Sequence, residues 1–404
     1  MKELQLSSGA TLDRHYDKRS LAVLLSGREQ FSPYWGGALA RWTYEVYSRS
    51  EALQATVFGF PTSREGRYPL PHVTSPMWRA CDFTSRIPLI RRYEDHLWLR
   101  ALLPRLRNFD FVHIHNRPQW VPILRRFGYR GRIVLHLQND HLGHWTPAML
   151  DAFTPHVDAA VTCSEYLKST FAPRSLLLAA KTRVVFNGVN TSLFFPREEL
   201  REPQTILFVG RFHPEKGILQ LVQAFAQVLA ACPHAKLVIA GATGFGSHTR
   251  DGYVRQVESL TREITAEHPG SVSFAGYVHH DRDLPLLFQK ATVFASPSLF
   301  QEPFGLVNSE AMACATPVVG SNRGGIPEVL GDAGVLIDPE DTKSFADALV
   351  SLLMNRQSAS ALGKAGYRRC QELFDWSVIA KHWDHFLGQL AGSRNARQFG
   401  AGAA

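Results

Sequence analysis

A chain of 404 residues and 45.2 kDa is too long for one ordinary core and comfortable for two domains of roughly 150–200 residues each. With 45% hydrophobic and 20% charged residues, its composition is that of a globular chain and excludes a disordered, collagenous or coiled-coil protein. The net charge of +8 is carried unevenly: residues 1–200 hold 26 basic against 17 acidic side chains, and residues 201–404 hold 18 against 19.

No apolar run approaches the ~18–20 residues that span a bilayer. The first twenty residues are polar and charged, and the first apolar stretch, Leu21 to Leu25, is too short for a secretory signal. The five cysteines (Cys81, Cys163, Cys232, Cys314 and Cys370) form no CxxC pair, so neither a zinc knuckle nor a redox dithiol is legible. Their low, odd count suits a reducing compartment, and buried structural thiols are expected. The expected localisation is cytoplasmic.

Short β-rich runs alternate with helical segments, which predicts parallel α/β sheets. The expected strands of the first half are Leu21–Leu25, Ala55–Phe60, Phe111–Ile114, Arg132–Leu137, Ala159–Thr162 and Arg183–Phe186. Those of the second half are Thr205–Val209, Lys236–Ala240, Val272–Ala275, Val293–Ala295, Pro317–Val319 and Gly334–Ile337. Helices separate them, as at Ile218–Ala231, where Leu219, Val222, Phe225 and Leu229 recur at helical spacing. The turn Asn187-Gly188-Val189-Asn190 opens a linker that runs to Pro203. The predicted organisation is an N-terminal Rossmann-like domain at 1–187, a linker at 188–203 and a C-terminal Rossmann-like domain at 204–375. A crossover helix at 376–391 and a frayed Gly/Ala-rich tail at 392–404 complete it. A ligand is expected in the cleft between the sheets, because open α/β sheets bind at the carboxyl ends of their strands.

Three segments carry chemistry toward that cleft. In Glu302-Pro303-Phe304-Gly305-Leu306-Val307-Asn308-Ser309-Glu310, Pro303 is placed to open a helix. Eight residues of helix cover ~12 Å, a span that suits two carboxylates gripping hydroxyls at the two ends of a nucleotide sugar. The amides of Phe304, Gly305, Leu306 and Val307 then form an anion site. In Gly210-Arg211-Phe212-His213-Pro214-Glu215-Lys216-Gly217, Gly210 permits close backbone approach, and Arg211 and Lys216 put two positive charges on one loop. Asn322-Arg323-Gly324-Gly325 follows another expected strand and is a further candidate for lining the cleft. Gly241-Ala242-Thr243-Gly244-Phe245-Gly246 is a weaker glycine-rich signal.

Together these segments resemble the retaining glycosyltransferases of family 4 (group 1), which have the two-Rossmann GT-B fold. The resemblance is carried by ILFVGRFHPEKG, KLVIAG, EPFGLVNSE, ATPVVGSNRGGIPEVL and GVLIDPED, with NGVNTSLFFP at the domain junction and FDWSVIAKHW at the C-terminal helix. It is specific over residues 185–390 and weaker over 21–185. It implies an α/β, GT-B architecture whose C-terminal helix crosses back to the first domain. It implies transfer of a sugar from a nucleotide diphosphate sugar, with UDP- and GDP-sugars expected as donors, and no obligatory cofactor or metal. Glu310 would bind the ribose, Glu302 the transferred sugar, and Arg211 and Lys216 the diphosphate, helped by the Phe304–Val307 amides. Gly36 and Gly37 match the family's loop after the first strand. The family places a histidine at the end of the strand Arg132–Leu137; one register gives that position to His136 and the other to Gln138, with Asn139 or Asp140 as substitutes. His113 and His115 are expected as packing residues, and His279 and His280 as surface residues with no metal-ligand partners.

No carboxylate nucleophile is legible in the first half, in keeping with a front-face mechanism. The alternatives are a nucleotide-sugar epimerase of the same architecture and a glycosyltransferase acting on a small soluble acceptor. Nucleic-acid binding is not expected, since no RNA-binding or helix-turn-helix motif accompanies the basic charge. The expected partners are the nucleotide-sugar donor and a carbohydrate or lipid-linked acceptor of bacterial-type surface polysaccharide or lipopolysaccharide synthesis. Residues 79–132 hold twelve arginines against four acidic residues. Leu89, Ile90, Tyr93, Leu97 and Ala101 would share one helical face, with Trp98 and Trp120 at a headgroup interface, so that the segment could rest peripherally on an anionic inner membrane surface.

Overall fold

A computed structural model describes residues 19–25, 29–62, 66–74, 93–241 and 252–400, with side chains to residue 392. The first sheet contains β1 (Arg19–Leu24), β2 (Leu53–Gly59), β3 (His72–Thr74), β4 (Phe111–His115), β5 (Arg132–Leu137), β6 (Ala159–Thr162) and β7 (Thr182–Val184). The second contains β8 (Thr205–Val209), β9 (Lys236–Ala240), β10 (Val272–Gly276), β11 (Val293–Ser296), β12 (Val318–Ser321) and β13 (Val335–Ile337). The orders are β3-β2-β1-β4-β5-β6-β7 and β10-β9-β8-β11-β12-β13, and every pairing is parallel. Near-continuous apolar runs explain this. All residues of β4 and β11 and all but the first of β5 are buried, as strands covered on both faces must be.

Four helices position the cleft: α1 (Ala38–Tyr47), α2 (Ile218–Ala231), α3 (Leu306–Ala313) and α4 (Trp376–Gly400). The chain passes between the sheets twice, side by side. Val189 bridges Asp375, and Trp376 N donates to the Val189 carbonyl. From there α4 returns to the first sheet and buries Ile379, Ala380, Trp383 and Leu387 among Trp42, Val46 and Tyr47 of α1. Trp383 meets Trp42 edge-on at 4.9 Å and donates to Tyr47 Oη at 3.1 Å. Truncating so large a buried ring costs roughly 3–5 kcal/mol, so Trp383 is the pin of this crossover.

The chain is thus a GT-B protein, two Rossmann-like sheets with the expected crossover helix. Several details differ from expectation. β3, a three-residue edge strand with one apolar residue, Val73, carries no apolar run that would announce it. α4 continues to Gly400 instead of fraying after 391. On helix Glu94–Leu106 the buried face is Trp98, Leu99, Leu102, Leu103 and Leu106, while Tyr93 and Leu97 are exposed. Trp98 and Trp120 pack on each other in the core with ring centroids 4.8 Å apart, so neither can reach a headgroup layer. Leu89, Ile90 and Cys81 lie outside the described residues. The other four cysteines are buried thiols.

Candidate active site

The carboxyl ends of both sheets meet in a cleft with two lobes. One, of about 370 Å³, holds Gly36, Gly37 and Arg41 from the first sheet's side and His280 and Glu310 from the second's. The other, of about 540 Å³, holds Asn116 and Asn139 opposite Arg211, Lys216, Ser298 and Glu302. Gln138, Asn187, Leu306 and Val307 line both. The start of α3 is therefore the partition, with one glutamate in each lobe.

α3 opens at Leu306 and not at Pro303, because Gly305 takes a left-handed conformation (φ 86°) as its N-cap. Glu302 consequently lies in the loop before the helix. Among the described residues, the amides of Phe304, Gly305, Leu306 and Val307 have no acceptor, which leaves the positive end of α3 open to the cleft. The Glu302 loop is braced from behind by the Arg323-Gly324-Gly325 turn, which lines neither lobe. Gly325 N donates to the Glu302 carbonyl at 2.7 Å, and a Cβ on Gly324 (φ 63°) would lie 2.2 Å from that oxygen.

Glu302 Oε1 accepts from Lys216 Nζ and, at 3.2 Å, from Ser298 Oγ. Arg211 is exposed at the same lobe and has no ion-pair partner among the described residues. Gly210 lies between the lining residues Val209 and Arg211, and Gly241 packs against its carbonyl; residues 242–251 lie outside the described residues. Glu310 is almost fully buried and accepts from His280 Nε2 at 2.7 Å. His280 Nδ1 in turn meets Asp281 Oδ1 at 2.6 Å, and Arg41 clamps both Asp281 oxygens at 2.7 and 3.2 Å. Burial works against charge on His280, but Glu310 and Asp281 overcome it and raise its pKa to about 9. The expectation of a surface His280 is corrected: the residue sits inside the cleft.

On the first sheet's side, Gly36 and Gly37 line the first lobe. A Cβ on Gly36 would fall 2.3 Å from the Ser32 carbonyl. Glu29, which sequence reading passed over, reaches the second lobe and accepts from the amides of Gly37 (2.9 Å) and Ala40 (3.2 Å). Its burial raises its pKa against those hydrogen bonds.

His136 does not face the cleft. It is fully buried within β5, 4.6 Å from the Trp42 ring, in a cluster with His113 and His115 whose ring nitrogens lie within 4.8 Å of one another. Burial pushes all three pKa values down, that of His115 to about 3. His136 lies inside β5 on the α1 side, whereas Gln138 follows Leu137, the last strand residue, where strand alternation no longer holds, and lines the cleft. Asp140 is also displaced; it caps its own turn through Gly143 N (2.6 Å) and accepts from Thr170 Oγ1 (3.2 Å). Three buried amide side chains at the cleft carry atoms without partners: Gln138 Nε2, Asn187 Oδ1 and both polar atoms of Asn308. Orphaned polar atoms facing a cavity are what a polyhydroxylated ligand would satisfy.

Comparison with known proteins agrees with this geometry. Residues 190–369 match the family described as Glycosyl transferases group 1, and residues 39–193 match Glycosyltransferase Family 4. Spore coat protein SA of Bacillus subtilis is 32% identical over 311 residues, 72% of this chain and 80% of the relative. The chain belongs to the family 4, group 1 glycosyltransferases. The transferase is also 28% identical over 357 residues to the putative glycosyltransferase YtcC of Bacillus subtilis, covering 82% of this chain and 86% of that one. Its fold matches that of Anabaena HepE, solved in complex with UDP and glucose, with a TM-score of 0.69 over 92% of this chain and 99% of that one at 20% identity.

Proposed function

We propose that this transferase moves a sugar from a UDP- or GDP-sugar to a hydroxyl of a carbohydrate or lipid-linked acceptor, retaining the anomeric configuration. The product would be a cell-surface polysaccharide, lipopolysaccharide or glycolipid. The observation that carries the reading is the partition of the cleft by α3, with a carboxylate in each lobe and open helix-end amides between. In this reading Glu310 accepts from the ribose hydroxyls and Glu302 from those of the transferred sugar. The diphosphate lies across the amides of Phe304, Gly305, Leu306 and Val307, with Arg211 and Lys216 neutralising it as it departs. No metal is needed for that neutralisation. HepE, crystallised with UDP and glucose, supports the donor class. We take residues 1–187 as the acceptor domain, 204–375 as the donor domain, and the paired crossings at 189 and 375 as the hinge.

Glu29 is tied by two backbone amides as the anchor of the Gly36-Gly37 loop, which favours front-face departure over attack by an enzyme carboxylate. Thermal-shift and hydrolysis screens with UDP-, GDP- and ADP-sugars test the donor half. Conversion of a sugar nucleotide to its epimer without acceptor would instead establish the epimerase reading.

The finer location, on the inner face of the plasma membrane, rests on Arg100, Arg105, Arg107, Arg126 and Arg130, all exposed, beside exposed Tyr93 and Leu97. Among the described residues no helix is long and apolar enough to cross a membrane. Each basic residue near an anionic surface adds about 1 kcal/mol. Salt-reversible sedimentation with anionic but not neutral vesicles tests the attachment.

A further inference from the structure

Glu310 does not stand alone in its lobe. It is the last member of a row of four alternating charges, Arg41–Asp281–His280–Glu310, that crosses the cleft from α1 to α3. Both ring nitrogens of His280 lie within hydrogen-bond distance of a carboxylate, 2.7 Å from Glu310 and 2.6 Å from Asp281. A carboxylate only accepts, so both nitrogens must carry protons and the ring is an imidazolium. Arg41 fixes Asp281 through both oxygens, a fork that sets direction as well as charge. The row is partly buried: exposure falls from about a third at His280 and Asp281 to a tenth or less at Glu310. One oxygen of Glu310, Oε1, is taken by His280.

We propose that Arg41 and Asp281 are positioning residues for donor binding, which through His280 hold Glu310 with its remaining oxygen presented to the nucleotide ribose. The inference rests on the reading of Glu310 as the ribose carboxylate. Its consequence is that the donor site is complete only when α1 lies against the second sheet, so part of the donor affinity belongs to the closed cleft.

The test uses the full chain. Calorimetric titration with UDP, GDP and ADP identifies the nucleoside diphosphate that binds tightest, and that probe is carried to the variants. Arg41→Met and Asp281→Asn should each weaken it roughly five- to thirtyfold, within the usual span for coupled sites. The double variant should be no weaker than the worse single, because both act through one contact. Arg41→Lys, which keeps the charge and loses the fork, should fall between. Asp281→Asn leaves the first sheet untouched, so it remains informative if Arg41→Met unfolds.

A pH profile separates positioning from damage. The charged groups facing His280 are Glu310 from α3, Asp281 from its own loop and Arg41 from α1. Its raised pKa means that the row persists below about pH 9 and is lost above it, since a neutral ring has one N–H and can serve one carboxylate only. Wild-type affinity should therefore fall with a midpoint near 9, and Asp281→Asn should move that midpoint down by about a unit. Wild-type affinity in the single variants, additive losses in the double variant, or an unmoved midpoint would overturn the proposal. If Glu310→Gln binds the probe as tightly as wild type, or none of the three nucleotides binds at all, the donor reading itself fails and the proposal with it.

Discussion

Glu302→Gln separates affinity from turnover. Lys216 Nζ is engaged by Glu302 at the cleft, although Lys216 is also the expected diphosphate cation. A diphosphate must draw the ammonium away from that carboxylate before using it. The two side chains are 23% and 16% exposed, so desolvation of both charges offsets most of their attraction and the net coupling is taken as about 1 kcal/mol. Glutamine removes the competing charge while keeping an oxygen for Ser298. Nucleoside diphosphate should consequently bind up to about fivefold tighter. Turnover should move the other way. The charge-assisted hydrogen bond from Glu302 to a sugar hydroxyl is worth roughly 1.5–3 kcal/mol, or about ten- to a hundredfold. Titration calorimetry with UDP or GDP and steady-state assays with the matching sugar nucleotide measure the two effects. Weaker nucleotide binding with unimpaired turnover would refute both the competition and the sugar role.

Arg211→Ala and Lys216→Ala should leave the unfolding temperature near wild type and lower turnover about ten- to a hundredfold each, as expected when a charged contact to a departing phosphate is lost. Glu29→Gln keeps an acceptor for Gly37 N and Ala40 N, so it should retain most of its activity; near-complete loss in the variant, together with a glycosyl ester trapped on Glu29 of the wild-type chain, would mark Glu29 as a nucleophile. Gly36→Ala should fold and lose donor affinity, because its methyl would meet the Ser32 carbonyl at 2.3 Å and displace the loop. Acidification should destabilise the chain. His113, His115 and His136 are held neutral by burial, with His115 lowered to about 3, so below about pH 6.5 the unfolded chain takes up protons the folded chain refuses. Each such histidine costs about 1.4 kcal/mol per pH unit there, which melting temperatures between pH 7 and 5 will show, with a flatter profile for His115→Gln.

The second sheet was legible nearly strand by strand because each strand there is a short apolar run bounded by turn residues. The first sheet was legible except at β3, whose three residues at an edge (His72, Val73, Thr74) include one apolar side chain and bury too little to leave a pattern. The same logic governs the site. Glu302, Glu310, Arg211 and Lys216 sit in contiguous motifs beside strand ends, and the resemblance of those ordered motifs to the family, more than their spacing, brings them toward one cleft. His280 and Glu29 had no such signal, since each lies in an irregular loop and reaches the cleft only through a partner distant in sequence, Glu310 in one case and the amides of α1 in the other. Sequence alone left His136 and Gln138 as alternatives for the cleft position, because the two differ only in where the strand is taken to end. The pairing of His115 with His136 keeps both rings inside the sheet under α1 and leaves the cleft to Gln138.

Net charge was a poorer guide than motif. The first half carries an excess of nine basic residues, yet among the described residues Arg41 is the only one of its cations that lines either lobe, and its charge is spent on Asp281. The second half is almost neutral, yet it supplies every group that the proposed reading sets against a diphosphate: Arg211, Lys216 and the open amides of α3. What fixes the potential at the donor site is the orientation of a few groups within a Debye length, about 8 Å at physiological salt. Among the described residues, Arg100 and Arg105 on helix Glu94–Leu106, Arg107 just after it, and Arg126 and Arg130 nearby are exposed and line neither lobe, so they can act only on a partner that approaches from outside the cleft.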